Sequence, residues 1–117
     1  MALTFRNPLI TGTPARAKKE ILDYLNVRSF INDHTPVKIG ITGQHPNNRL
    51  WQHRRDDWEN MEVIYKTSSE ADANLLEKEL IRTIDYWDVE LANAKAGGGS
   101  RLSDEAGEYY LYVLYNN

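Results

Sequence analysis

The chain has no cysteine in its 117 residues, which excludes a disulfide framework and any thiolate metal site. It has no apolar run near the roughly 20 residues that a membrane-spanning helix needs, and no signal-peptide core opens it. An excess of positive charge is missing too: 14 Lys and Arg stand against 17 Asp and Glu, a net charge of −3. Proteins that clamp long duplex DNA through many phosphates are usually basic, because counterion release drives their affinity. Strong binding by bulk charge is therefore not expected. The remaining composition, 41% hydrophobic and 26% charged, is ordinary for a globular protein and suits one core. We expect a single domain over residues 1–117 in a cytoplasmic protein, with no membrane partner.

The positive charge is unevenly placed. Arg49, His53, Arg54 and Arg55 cluster, as do Arg16, Lys18 and Lys19. A local phosphate-binding patch is compatible with the acidic whole.

Thr13 followed by Pro14 is a helix start, a hydroxyl cap and then proline at the first helical position. Ala17, Ile21, Leu22 and Leu25 continue it at helical spacing to about residue 25. Residues 27–31 are expected as a short strand. Over 37–42 the chain alternates, with Val37, Ile39 and Ile41 on one side and Lys38, Gly40 and Thr42 on the other. Pro46 opens a helix expected to run to about Trp58. Met61, Val63 and Tyr65 alternate in a strand over 61–66, and Ser69 with Asp72 makes a capping-box-like start for a long helix ending near Trp87. Residues 93–100 are loop. The aromatic and β-branched stretch from Tyr109 to Tyr115 is a strand; at the edge of a sheet it could pair with another chain. The fold class expected is α+β, a small antiparallel sheet of three to four strands flanked by helices, with its core over about 27–115.

Glu77 is the sharpest chemical signal. At about 100° per residue, Ala73, Leu76, Leu80, Ile81 and Ile84 form one stripe and Glu77 falls inside it. A carboxylate facing the core is costly unless it is paired, neutralised or bound to a metal. An isolated glutamate there more often bends out to solvent or meets an arginine. Arg49 and His53 share one helix face, although a solvated basic face is the commonest fate of such a run. Arg54 falls among apolar positions and competes as partner of a buried carboxylate. Gly40 leaves the middle of its strand face bare, which often marks close approach by a ligand or backbone. The Gly97–Gly99 triplet is no phosphate loop, since no Lys-Ser/Thr pair opening a helix follows. His34, His45 and His53 are too scattered for a metal triad, and Trp51, Trp58 and Trp87 fit a core better than a base-stacking platform.

Together these segments resemble the GIY-YIG nuclease superfamily, especially its compact phage and bacterial members. Lys38-Ile39-Gly40 looks like the second half of the signature, with lysine in the place of the commoner tyrosine. Arg49 and His53 look like the helix bearing the essential arginine. Leu75-Leu76-Glu77-Lys78-Glu79-Leu80-Ile81 looks like the segment with the metal-binding glutamate, and Asn93 matches a site-proximal asparagine. The resemblance covers about residues 27–99 and meets four segments in the family's order. One element departs from it: Val27-Arg28-Ser29-Phe30 holds no tyrosine where the first half of the signature belongs. Either that motif has degenerated, or the C-terminal strand supplies the tyrosine in a permuted arrangement, with Tyr112 the candidate.

The resemblance implies a DNA endonuclease that hydrolyses phosphodiester bonds with one Mg²⁺ or Mn²⁺ on Glu77. It assigns Arg49 to the phosphate and transition-state charge, Lys38 or Tyr112 to the attacking water, and His53 to orientation or proton relay. Gly40, Thr42, Arg54, Arg55 and Asn93 would line the DNA. A homodimer would serve to cut both strands. The alternative is a catalytically inactive module of the same fold that binds nucleic acid or protein.

Overall fold

The computed structural model describes residues 2–27, 36–43, 46, 58–84, 91 and 107–116. Within them the architecture is α+β, a four-stranded sheet with two helices on one face. The strands are β1 (Ala2–Ile10), β2 (Val37–Thr42), β3 (Asn60–Thr67) and β4 (Tyr109–Tyr115); the helices are α1 (Pro14–Asn26) and α2 (Glu70–Ile84). The spatial order is β1-β3-β4-β2.

The sheet is mixed, which corrects the antiparallel expectation. β4 runs antiparallel to both β3 and β2, whereas β1 runs parallel to β3, from Ala2 opposite Asn60 to Ile10 opposite Tyr65. β1 has no counterpart among the elements expected from sequence, and Pro8 interrupts it. Proline lacks the N–H that a ladder needs and is tolerated on an edge strand or at an irregularity. Pro8 has both: β1 is an outer strand, and its register shifts between Phe5 and Ile10. β4, by contrast, is interior, with β3 on one side and β2 on the other. Its backbone edges are taken, so pairing of this aromatic strand with another chain is excluded.

Both helices begin as their sequences direct. Pro14 starts α1, and the Ala17 N–H donates to the Thr13 carbonyl at 2.9 Å. The Thr13 hydroxyl makes no capping bond, so proline geometry rather than a side-chain cap sets this terminus. At α2 the Ser69 hydroxyl accepts from the Asp72 N–H at 3.1 Å, a genuine cap. Helix α2 is described as far as Ile84; the expected continuation to Trp87 lies outside the described residues, as do residues 28–31 of the expected strand and the body of the helix expected over 46–58. No helix among the described residues is long and apolar enough to cross a membrane.

The sheet has an apolar layer on each face. Ala17, Ile21 and Leu25 of α1 and Ala73, Leu76, Leu80, Ile81 and Ile84 of α2 pack on Val37, Ile39, Ile41, Ile64, Tyr65, Leu111 and Val113. Met61, Val63, Tyr112 and Leu114 form the second layer, with Leu3, Leu9, Trp58 and Tyr110 against it. The register shift between Val63 and Tyr65 explains one misplacement. The extra residue of a bulge inverts the alternation beyond it, so Tyr65 joins the helical layer and not the face of Met61 and Val63. Its hydroxyl donates to the Gly12 carbonyl at 2.7 Å, in a turn where Gly12 has φ of 109° and a side chain would be strained.

Candidate functional site

The β2–β4 ladder runs from Val37 opposite Tyr115 to Thr42 opposite Tyr110, and places Gly40 opposite Tyr112. Opposed residues project on the same face. Lys38, Gly40 and Thr42 therefore share a face with Leu114, Tyr112 and Tyr110. Tyr112 fills the space that Gly40 leaves: a Cβ on Gly40 would lie 2.5 Å from both Cζ and Oη of Tyr112 and 2.7 Å from Cε1. The phenol end of the ring thus lies over Gly40, with the hydroxyl carried onto the outer strand β2. Tyr112 is 1% exposed. Lys38 and Thr42 flank it, each about 6–7 Å along the strand from Gly40; Thr42 is buried and Lys38 half-buried.

Glu77 projects from the buried side of α2 and is 8% exposed, in line with its place among Ala73, Leu76, Leu80, Ile81 and Ile84. It has a non-covalent interaction of its own and is not an orphaned charge. The side of α2 it occupies follows from Glu79, which meets Lys18 of α1 at 3.5 Å. Two residues apart are about 160° apart round a helix, so Glu77 faces away from α1. Helix α1 packs on β1 and β3, while α2 packs on β2 and β4 as well as β3. The side of α2 away from α1 is therefore the side toward the outer strand β2.

The structure brings Lys38, Gly40, Thr42 and Tyr112 together on one face. It places Glu77 in the helical layer on the other, on the β2 side. Tyr112 and Glu77 thus stand on opposite faces of the sheet. Arg49, His53, Arg54, Arg55 and Asn93 lie outside the described residues.

Among the described residues no group of three or more His, Asp or Glu side chains could hold a metal ion. Mg²⁺ is commonly held by one or two carboxylates, retained waters and the substrate's own phosphates. Glu77, a single carboxylate in an otherwise apolar helix face, fits that donor set.

A second polar cluster escaped sequence reasoning. Glu62 and Asn60, 2% and 6% exposed, lie on the helical face of β3. The Tyr24 hydroxyl of α1 donates to the Glu62 carboxylate. The Arg6 guanidinium sits 4.9 Å over the Tyr24 ring and 3.8 Å from Glu20, while Asn60 Nδ2 is buried without a partner. Alternation with Met61 and Val63 does not put Glu62 in solvent, because both faces of the sheet are covered. The signal available was the pair of polar residues at alternate positions in one strand.

No family model matches this chain, and neither the curated proteins nor the solved structures contain a match.

Proposed function

We propose that this protein is a metal-dependent endonuclease that hydrolyses phosphodiester bonds in DNA, of the GIY-YIG type, with its first-motif tyrosine supplied by the C-terminal strand. The observation that carries the reading is the seating of Tyr112 over Gly40. It favours a permuted motif over a degenerate one, because a phenol stands beside Lys38-Ile39-Gly40 although Val27-Arg28-Ser29-Phe30 holds no tyrosine. Glu77 lies in the helix face overlying β2, across the sheet from Tyr112, and would have to reach the phosphate round the β2 edge.

In this reading the Tyr112 oxygen accepts the proton of the attacking water. Arg49 holds non-bridging phosphate oxygens and balances the charge that grows on them. His53 orients the water or relays its proton. Glu77 would hold the divalent ion, which supplies Lewis-acid polarisation of the phosphate and stabilises the leaving oxygen. Thr42, Arg54, Arg55 and Asn93 would position the DNA backbone, and a net charge of −3 makes that grip local and salt-sensitive. One active centre cuts one strand at a time, so double-strand cleavage would take a homodimer or two visits.

The inactive nucleic-acid-binding or protein-interaction module is favoured by different observations, the net charge of −3 and the absence of a tyrosine from Val27-Arg28-Ser29-Phe30. Nicking of supercoiled plasmid with Mg²⁺ or Mn²⁺ separates the two. The endonuclease reading expects cleavage by the wild type and its loss in Arg49→Ala, Glu77→Gln and Tyr112→Phe. Equal residual nicking in all four proteins would mark a contaminant and overturn it.

A further inference from the structure

We infer that β1 is the docking edge for a second copy of this chain, the two β1 strands pairing antiparallel about a two-fold axis at Thr4 and joining two four-stranded sheets into one. The interface does not rest on the nuclease reading. The sheet has two outer strands, β1 and β2, and they differ in access. Every residue of β2 except Lys38 is buried, and Val37 at its start bridges Leu91 as well as Tyr115. In β1, of residues 3–10 only Ile10 is buried, while Thr4, Phe5, Asn7 and Pro8 are exposed. Phe5, at 42% exposure, is one of the large apolar side chains that the described surface leaves in water.

An open edge strand is a template for another chain, and proteins usually blunt it with proline, bulges or charge. In β1 these devices begin at Arg6: Pro8 follows it, and the register shift lies between Phe5 and Ile10. Residues 2–5, whose register with β3 is regular, carry none of them. That stretch is also self-complementary. With Thr4 opposite its own copy, Leu3 of one protomer stands opposite Phe5 of its partner, and Phe5 opposite Leu3. An aromatic–aliphatic cross-strand pair is thus made twice, with a threonine pair between, both favourable combinations. Leu3 and Phe5 lie beside Met61 and Val63 of β3, and Leu3 already packs on that apolar layer, so the pairing continues the layer from one copy into the next. Ala2 stands opposite Arg6, small enough to leave the guanidinium with Tyr24 and Glu20. Pro8 falls beyond the paired stretch. A two-fold axis at Phe5 would instead set Leu3 against Asn7 and Ala2 against Pro8, which has no N–H for the ladder. One patch used by both copies closes as a dimer and goes no further.

The test uses the untagged full chain in sedimentation velocity over a range of concentrations. Wild type is expected to approach twice the 13.5 kDa of one chain as concentration rises. Thr4→Lys sets two like charges face to face on the axis and is expected to sediment as a monomer with the circular dichroism of the wild type. Because the chain has no cysteine, single introduced cysteines report the register. Opposed residues stand about 4.5–5.5 Å apart at Cα, within disulfide reach. Under mild oxidation Thr4→Cys alone should cross-link to a dimer, whereas Leu3→Cys and Phe5→Cys should cross-link when mixed and not separately. A wild type that stays monomeric at every concentration, a folded Thr4→Lys that still dimerises, or cross-linking without regard to position would overturn the inference. A dimer that never nicks DNA supports this interface and counts against the nuclease reading alone.

Discussion

Gly40 and Tyr112 form one steric unit: the phenol end of Tyr112 lies 2.5 Å from the point where a Cβ on Gly40 would be placed. Tyr112 is 1% exposed, so its ring would have to yield within a buried layer. Gly40→Ala should therefore destabilise the fold by about 1–3 kcal/mol, the usual effect of overpacking a well-filled site. The same substitution in a Tyr112→Ala background should be nearly silent. Urea unfolding of the four proteins in this cycle measures the coupling; additive effects would mean that the ring lies elsewhere.

Glu77 is buried among apolar residues of α2 yet has an interaction of its own. Glu77→Gln keeps its shape and its capacity to accept a hydrogen bond while removing the charge. Metal-dependent nicking should fall by two orders of magnitude or more, on the scale of losing a preorganised electrostatic contribution, while circular dichroism remains that of the wild type. An unfolded Glu77→Gln would instead assign the carboxylate a structural role.

The Tyr24–Glu62 hydrogen bond joins half-buried Tyr24 of α1 to buried Glu62 of β3. Tyr24→Phe leaves a buried carboxylate without this donor and should cost about 1–3 kcal/mol. Adding Glu62→Leu to Tyr24→Phe should restore part of that loss, since the two apolar side chains remove both halves of this hydrogen bond together. Denaturant midpoints of the single and double variants decide it.

Alkaline stability should bear the signature of Tyr65. Burial is the main cause that raises this phenol above its ordinary value of 10.0; a Thr67 hydrogen bond lowers it and Asp72 raises it. In the range above 10.0 the unfolded chain has lost this proton while the folded chain retains it. Fewer protons are then bound in the unfolded state, so stability falls as pH rises. The contribution is complete below the unfolded value and declines as pH climbs through the folded one. Tyr65→Phe should flatten that decline without abolishing it, because Tyr110 is raised as well. The slope of unfolding free energy against pH from 9.5 to about 12 is the measurement.

Local patterns were legible wherever one physical rule governed them. Pro14 after Thr13 started α1, Ser69 capped α2, and alternation over 37–42 sorted Val37, Ile39 and Ile41 from Lys38, Gly40 and Thr42. Glu77 could be placed on the inward stripe because helical spacing depends on sequence alone, whereas packing decided that it stays buried. β1 was not legible, since its pairing with β3 is long-range and parallel and no local rule compensates for Pro8. Tyr65 was misplaced for a similar reason: the bulge next to Val63 is a property of the ladder with β4, not of the residues 61–66 read by themselves.

The sequence by itself determined the elements and the chemical inventory: a cysteine-free, mildly acidic chain with a Lys-Ile-Gly strand, a helix with one inward glutamate, and an aromatic C-terminal strand. Only the tertiary structure decided which of these meet. Residues 40 and 112 are far apart along the chain, and nothing local brings them together. Placement of β4 between β3 and β2 does so, and it also closes the aromatic strand to outside partners. Burial of both faces of that interior strand is the physical reason, because shifting its register by one residue would exchange the two apolar layers. Register therefore sets Tyr112 over Gly40.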